Sequence, residues 1–184
     1  MNSPGDEEVG AAVTIGLLAA WALHDAEELA TVPGWWRREL PALRERFPTV
    51  PEAVWRRAGS VDGREFALAV GAMAAVVAAA SAAGRLTGGR SAAYQAALNA
   101  FGLHGLVHLA QAALVRGYTP GSATSPLVVV PFTLWARHRL RRAGVLRATR
   151  PRDLAVGLGF AGAATVGAHA VARRLTGATS ARPR

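Results

Sequence analysis

Three histidines and two glutamates stand at spacings that suit a shared site. His24, Glu27 and Glu28 occupy positions i, i+3 and i+4, which on a helix places their side chains on one face. Further along the chain His104, His108 and Gln111, at i, i+4 and i+7, also share a helical face. Two imidazoles one turn apart can bind one metal ion, and carboxylates from a facing helix can complete the sphere, as in helix-bundle metal sites. The expected ligands are His24, His104, His108 and one of Glu27 and Glu28. The other glutamate then serves as general base for a metal-bound water. Zinc would suit hydrolysis and iron oxidation, and imidazole with carboxylate fits either. Asn99 is a candidate to orient a site residue or to hydrogen-bond across the bundle, and Tyr118 a candidate to cap the site from a loop. Without a metal, the same glutamates and histidines can act as acid and base, for isomerisation or cyclisation of a hydrophobic molecule.

The elements that must position these residues are apolar. The expected fold is an all-α, polytopic transmembrane helix bundle forming a single membrane domain over residues 1–184. Its membrane helices are expected near 10–30, 65–83, 92–115, 122–136 and 153–172, each compared with the ~20 residues that a spanning helix needs. Segment 31–64 mixes Trp35, Trp36 and Trp55 with Arg37, Arg38, Arg44, Arg46, Arg56, Arg57 and Arg64. Pro33 and Gly34 should end the first helix, and Pro41, Pro48 and Pro51 should prevent another continuous one, leaving an interfacial loop at the headgroup level. The run at 122–136 is short and holds Pro126 and Pro131. If it spans, the basic loop after it, with Arg137, Arg139, Arg141, Arg142, Arg147, Arg150 and Arg152, lies outside against the positive-inside rule, so four spans plus a re-entrant segment is the alternative to five. A tail over 173–184 is expected to be disordered.

Depth supports a meeting of the two polar faces. Helices one and three run parallel if helix two spans. At ~1.5 Å per residue His24 lies ~21 Å into its run, and His104 and His108 lie ~18 and ~24 Å into theirs. His169, ~24 Å into the last run, could join that layer, whereas His138 falls at the other end. A lone histidine in an apolar helix usually serves as a helix-to-helix hydrogen-bond partner. Two His/Glu faces at one level favour a site, since ionisable groups within hydrocarbon cost several kcal/mol unless paired.

The chain carries 21 basic and 12 acidic residues, for a formal charge of +9, and every basic residue is arginine. These arginines sit between apolar runs instead of along one polar face, which argues for membrane lipid as the surrounding partner and against nucleic acid. No cysteine is present, which excludes disulfides, thiolate metal sites and cysteine nucleophiles. No arginine precedes the first run and seven follow it, so the N-terminus is expected outside the membrane and the first run is expected to be retained, not cleaved as a signal peptide.

His24-Asp25-Ala26-Glu27-Glu28 resembles the signature of the HXXEE-domain family, small bacterial membrane proteins of unassigned function. His104, His108, Tyr118, Pro120 and Gly121 look like that family's second block, paired histidines followed by a Y-x-P-G turn. The resemblance covers residues 10 to about 135 and implies a polytopic protein of the bacterial cytoplasmic membrane. It supplies no reaction. The residues themselves lead to a membrane-embedded, metal-dependent enzyme acting on a hydrophobic small molecule that partitions into the bilayer. A proton-coupled transporter, with His and Glu relaying protons, and an accessory membrane subunit, with these residues only locking helices together, are the other classes.

Overall fold

The structure, a computed structural model, describes residues 9–60 and 62–148, with isolated helical positions at 159, 162, 167, 170 and 174. Among the described residues it is all-helical, with no strand. The elements are α1 (Ala11–Thr14), α2 (Gly16–Arg46), α3 (Glu52–Gly59), α4 (Gly63–Leu86), α5 (Ala92–Val115), a π-helical turn (Ser125–Val129) and α6 (Val130–Arg142). The expected fifth membrane helix, at 153–172, and the tail at 173–184 lie outside the described residues apart from those isolated positions. Two helices, α4 and α5, are long and apolar enough to cross a membrane by length and composition.

Contacts along the helices fix their directions. Tyr94 at the start of α5 donates from its hydroxyl to the carbonyl of Val13, and His24 packs against Phe101, His104 and His108 further along. Residues of α1 and α2 therefore meet those of α5 in the same order, and α2 and α5 run parallel. Between them in sequence, α4 runs the other way, with Gly63 beside Pro33 and Gly84 under the ring of Tyr94. α6 is antiparallel to α5: Val129 packs on Gly105, Thr133 on Gly102, and Arg137 donates to Asn99. A Cβ at Gly102 or Gly105 would come within 2.6 Å of Thr133 or 2.7 Å of Val129. Small residues at these positions let the two helices approach closely.

The local signals account for most boundaries. Asp62 caps α4 by accepting from the Glu65 N–H at 3.2 Å, and Ser91 caps α5 by accepting from the Tyr94 N–H at 3.3 Å. α5 ends with Arg116 in the left-handed region, φ 56°, and the Gly117 N–H reaching back to the Ala112 carbonyl.

Two expectations are corrected here. The first helix does not end at Pro33: α2 runs through both Pro33 and Pro41 to Arg46, so much of 31–64 is helical and not a loop. Each proline removes one helical hydrogen bond. Tertiary contacts hold the segment in compensation. Trp35, Leu43 and Trp55 form a buried cluster with Val115 at its edge, and the Trp35 indole N–H donates to the Tyr118 carbonyl at 2.9 Å. Trp35 and Arg46, eleven residues apart, both reach the last residues of α5 and its loop, so the second half of α2 crosses that end instead of continuing beside it. The second correction concerns 122–136. The prolines do not break it: the Val130 N–H bonds to the Ser125 carbonyl, five residues back, and this wider π turn leads directly into α6, whose first turn holds Pro131. α6 then proceeds along α5 to its far end, where Gln95 bonds to Val145 and Arg147, and does not turn back on itself.

Arg46 also closes α5, its guanidinium donating to the carbonyls of Leu114, at 2.9 Å, and Val115. Arg46→Ala is expected to speed amide hydrogen exchange over residues 112–118 about tenfold, with exchange in the first turns of α5 unchanged.

Candidate metal centre

His24 is wholly buried, with no exposed surface. Its ring lies 5.1 Å from that of His104 and 5.0 Å from that of His108, centroid to centroid. His104 and His108 stand one turn apart on α5, rings perpendicular, with their Nε2 atoms 2.9 Å apart. Glu28 adds a carboxylate oxygen 3.3 Å from the Nε2 of His108. His24, Glu28, His104 and His108 each present one ligand atom, and these four atoms lie within 4.8 Å of one another.

The distances allow a metal after a small contraction. Two ligands on a tetrahedral zinc, each ~2.0–2.1 Å away, stand ~3.3 Å apart, and two atoms sharing one ion at that distance cannot exceed ~4.2 Å. The 2.9 and 3.3 Å pairs fall near the first figure. A pair at the 4.8 Å limit would have to close by roughly half an ångström to lie on opposite sides of one ion and by about 1.5 Å to reach the tetrahedral spacing, within reach of side-chain rotation. His104 is the exposed member of the group, and Val107, three residues on and on the same side of the helix, is 52 % exposed. The cluster therefore opens sideways through an apolar helix face.

Glu27 is turned elsewhere. Its Oε1 accepts from the Tyr118 hydroxyl at 2.7 Å and the N–H groups of Gly121 at 3.1 Å and Ala123 at 3.3 Å. Its Oε2 accepts from the Thr124 N–H at 2.8 Å and the Thr124 hydroxyl at 2.6 Å. Both oxygens are committed to the loop after α5, and the converging group contains Glu28 and not Glu27. Of the two glutamates expected as ligand and general base, the geometry brings only Glu28 into the group. On the helical wheel Glu28 lies about 40° to one side of His24 and Glu27 about 60° to the other, so one faces the imidazoles and the other the loop.

A sequence pattern for a family described as a protein of unknown function with HXXEE motif matches residues 15–136. The chain belongs to the HXXEE family. No curated protein and no solved structure matches it.

In this HXXEE chain the letters of the motif divide the work: His24 and Glu28 enter the cluster, and Glu27 holds the loop. That loop is the second component of the centre. Val115 ends α5 about 10 Å beyond His108 at the rise of an α-helix, yet Gly121 lies against the His108 ring. The chain after α5 therefore folds back alongside it to the level of the histidines. Gly121 has φ +81°, and a Cβ there would sit 2.7 Å from His108 Cε1 and Nδ1, so this turn needs glycine for both its conformation and its closeness to the ring. Ser125 donates to the Gly121 carbonyl at 2.7 Å, and Ser122 accepts from the Thr119 N–H at 3.2 Å.

The remaining expected residues fall as follows. Tyr118, proposed as a cap, is 46 % exposed and donates to Glu27. Desolvation, with that hydrogen bond acting in the same sense, holds its phenol above the usual range, which keeps it a donor. Asn99 is engaged by Arg137 of α6 and takes no part in the converging group, so its placement is that of a helix-pairing residue. Gln111 is exposed. His138 lies on α6 towards the opposite end, and His169 lies outside the described residues. Thr124 is a site residue that the sequence reading missed. Nothing in its own neighbourhood marks it, because its partners, Glu27 and His24, come from α2.

Proposed function

We propose that this chain is a membrane-embedded enzyme that binds a divalent metal, zinc or iron, between His24, Glu28, His104 and His108 and acts on a lipid-soluble substrate. The observation that carries this reading is the convergence of three imidazoles and one carboxylate, from two helices, on one small volume. The exposed edge at His104, with the exposed Val107 on the same side of the helix, supports a substrate that arrives from the bilayer. The surrounding architecture proposed is a five-helix membrane bundle, with α2, α4, α5, α6 and the chain beyond 148 as its spans. Membrane lipid would cover the exposed apolar side chains such as Leu23, Leu127 and Leu134.

Four protein ligands constrain the chemistry. They would saturate a tetrahedral zinc, so hydrolysis would require one ligand to yield its place, and His104 at the open edge is the one free to move. An octahedral iron would keep positions open beside all four, which suits oxidation. When bound, the metal would supply a Lewis acid and an acidic water. The chain's own contribution is to hold the three rings, keep the back of the site dry through Phe101 and the loop, and offer the second oxygen of Glu28 to a proton.

Elemental analysis of full-length protein purified in mild detergent without chelator tests this. About one metal per chain is expected, falling below about a tenth of that in the His104→Ala/His108→Ala double variant with gel-filtration behaviour retained. Folded wild-type protein that neither retains nor takes up metal would overturn the metal reading. The 2.9 Å contact between the two Nε2 atoms then favours the second reading, a metal-free acid/base centre in which one imidazole donates to the other.

A further inference from the structure

We infer that Thr124 and Glu27 act as a relay that fixes the tautomer of His24, so that its Nε2 lone pair is presented to the cluster. The inference deepens the proposed metal centre and rests on it only for what the lone pair meets.

The hydroxyl of Thr124 has one hydrogen and two neighbours. It lies 2.6 Å from Glu27 Oε2 and 2.7 Å from His24 Nδ1. Glu27 receives backbone N–H groups on both oxygens, from Gly121 and Ala123 on Oε1 and from Thr124 on Oε2, as well as the Tyr118 phenol. A carboxylate ringed by donors accepts and does not donate. The Thr124 hydrogen must therefore go to Glu27. The same oxygen can then only accept from His24, which requires the proton of the imidazole on Nδ1.

The other nitrogen completes the argument. His24 Nε2 is buried and has no hydrogen-bond partner among the described residues. With Nδ1 protonated it carries an unshared lone pair in a dry site facing His104 and His108. An orphaned acceptor of this kind costs free energy unless something occupies it, and a cation held between the three rings would do so. Outer hydrogen bonds from a ligating histidine to a carboxylate are the general means by which ring orientation and ligand basicity are set. Here the carboxylate acts through a threonine. Thr124 and Glu27 are positioning residues on this assignment, and the first glutamate of the motif serves the histidine three residues before it by way of a loop from the other half of the chain.

The test uses full-length protein in detergent micelles with ¹⁵N-labelled histidine, stripped of metal and then titrated with Co²⁺. In the metal-free wild type, His24 is expected to show the Nδ1–H tautomer. Thr124→Val, near in shape but with no hydroxyl, is expected to lose that preference and to weaken Co²⁺ binding 10- to 100-fold, while Thr124→Ser restores both. A structural role for Thr124 alone would not shift the tautomer. If wild-type His24 carries its proton on Nε2, or if Thr124→Val leaves tautomer and affinity unchanged, the relay is overturned, whether or not Co²⁺ binds. If the Nδ1–H tautomer depends on Thr124 as expected but no variant binds Co²⁺, the relay stands and the metal reading fails.

Discussion

Replacing Glu27 with glutamine is expected to unseat the loop at 118–124 and to reverse the tautomer of His24. The carboxylate accepts five hydrogen bonds, three of them from backbone N–H groups. An amide of the same shape brings two hydrogens to one end. If the NH₂ takes the place of Oε2, the Thr124 N–H loses its acceptor. If it takes the place of Oε1, those of Gly121 and Ala123 lose theirs. Each unsatisfied amide costs about 1–3 kcal/mol, and loss of the charge weakens the bonds that remain. The expected loss is about 2–4 kcal/mol, the upper part discounted because the carboxylate is only partly buried. The first orientation also turns the Thr124 hydroxyl around: it accepts from the amide and donates to His24 Nδ1, which moves the imidazole proton to Nε2 and blocks the cluster. Unfolding in mixed mild-detergent and SDS micelles measures the first effect, and protease cleavage within 117–124 reports the freed loop. Wild-type stability with the loop still protected would mean that Glu27 does not hold it.

The second large effect is expected at Gly121. An alanine Cβ would lie 2.7 Å from two atoms of the His108 ring and 2.9 Å from a third, on a backbone with φ +81°. The ring is buried and has little room to withdraw, so the loop must lift or the histidine must turn out of the cluster. Strain at such a φ costs on the order of 1–3 kcal/mol by itself. Gly121→Ala should therefore lower stability by about 2–4 kcal/mol and abolish metal retention. Gly117→Ala in the same loop meets nothing within 4 Å and has no positive φ, so it should leave both within about 0.5 kcal/mol of wild type. Equal effects from the two substitutions would show that the loop is generally fragile and not seated on His108.

Much of the centre was legible in the residues because helical spacing is a strong constraint. His104 and His108 could share a metal on any straight helix, and a count of residues placed His24 at their depth. Which glutamate joined them was not legible. Glu27 and Glu28 flank His24 on either side, and the choice depends on a loop from 90 residues later that brings its N–H groups to one of them. Asn99 was ambiguous for a related reason: its partner, Arg137, lies on a helix whose direction the sequence left open. The prolines misled because their cost is local and fixed, whereas the cluster of Trp35, Leu43 and Trp55 that outweighs it forms only in the assembled fold. Thr124 had no signal of its own.

The backward fold of 118–124 bears on how the chain is made. Its N–H groups are answered by a carboxylate 94 to 97 positions earlier, among the most distant pairings of the described residues. Until α2 is in place, drawing that loop in beside His108 would bury amides with nothing to accept from them. During synthesis the helices can form and pair early, but the loop can be drawn in only once the whole set closes, since contacts of such separation form late. Among the described residues the centre is then expected to close late. On the proposed reading, a chain able to hold a metal there would already have its earliest helix and its later ones correctly joined.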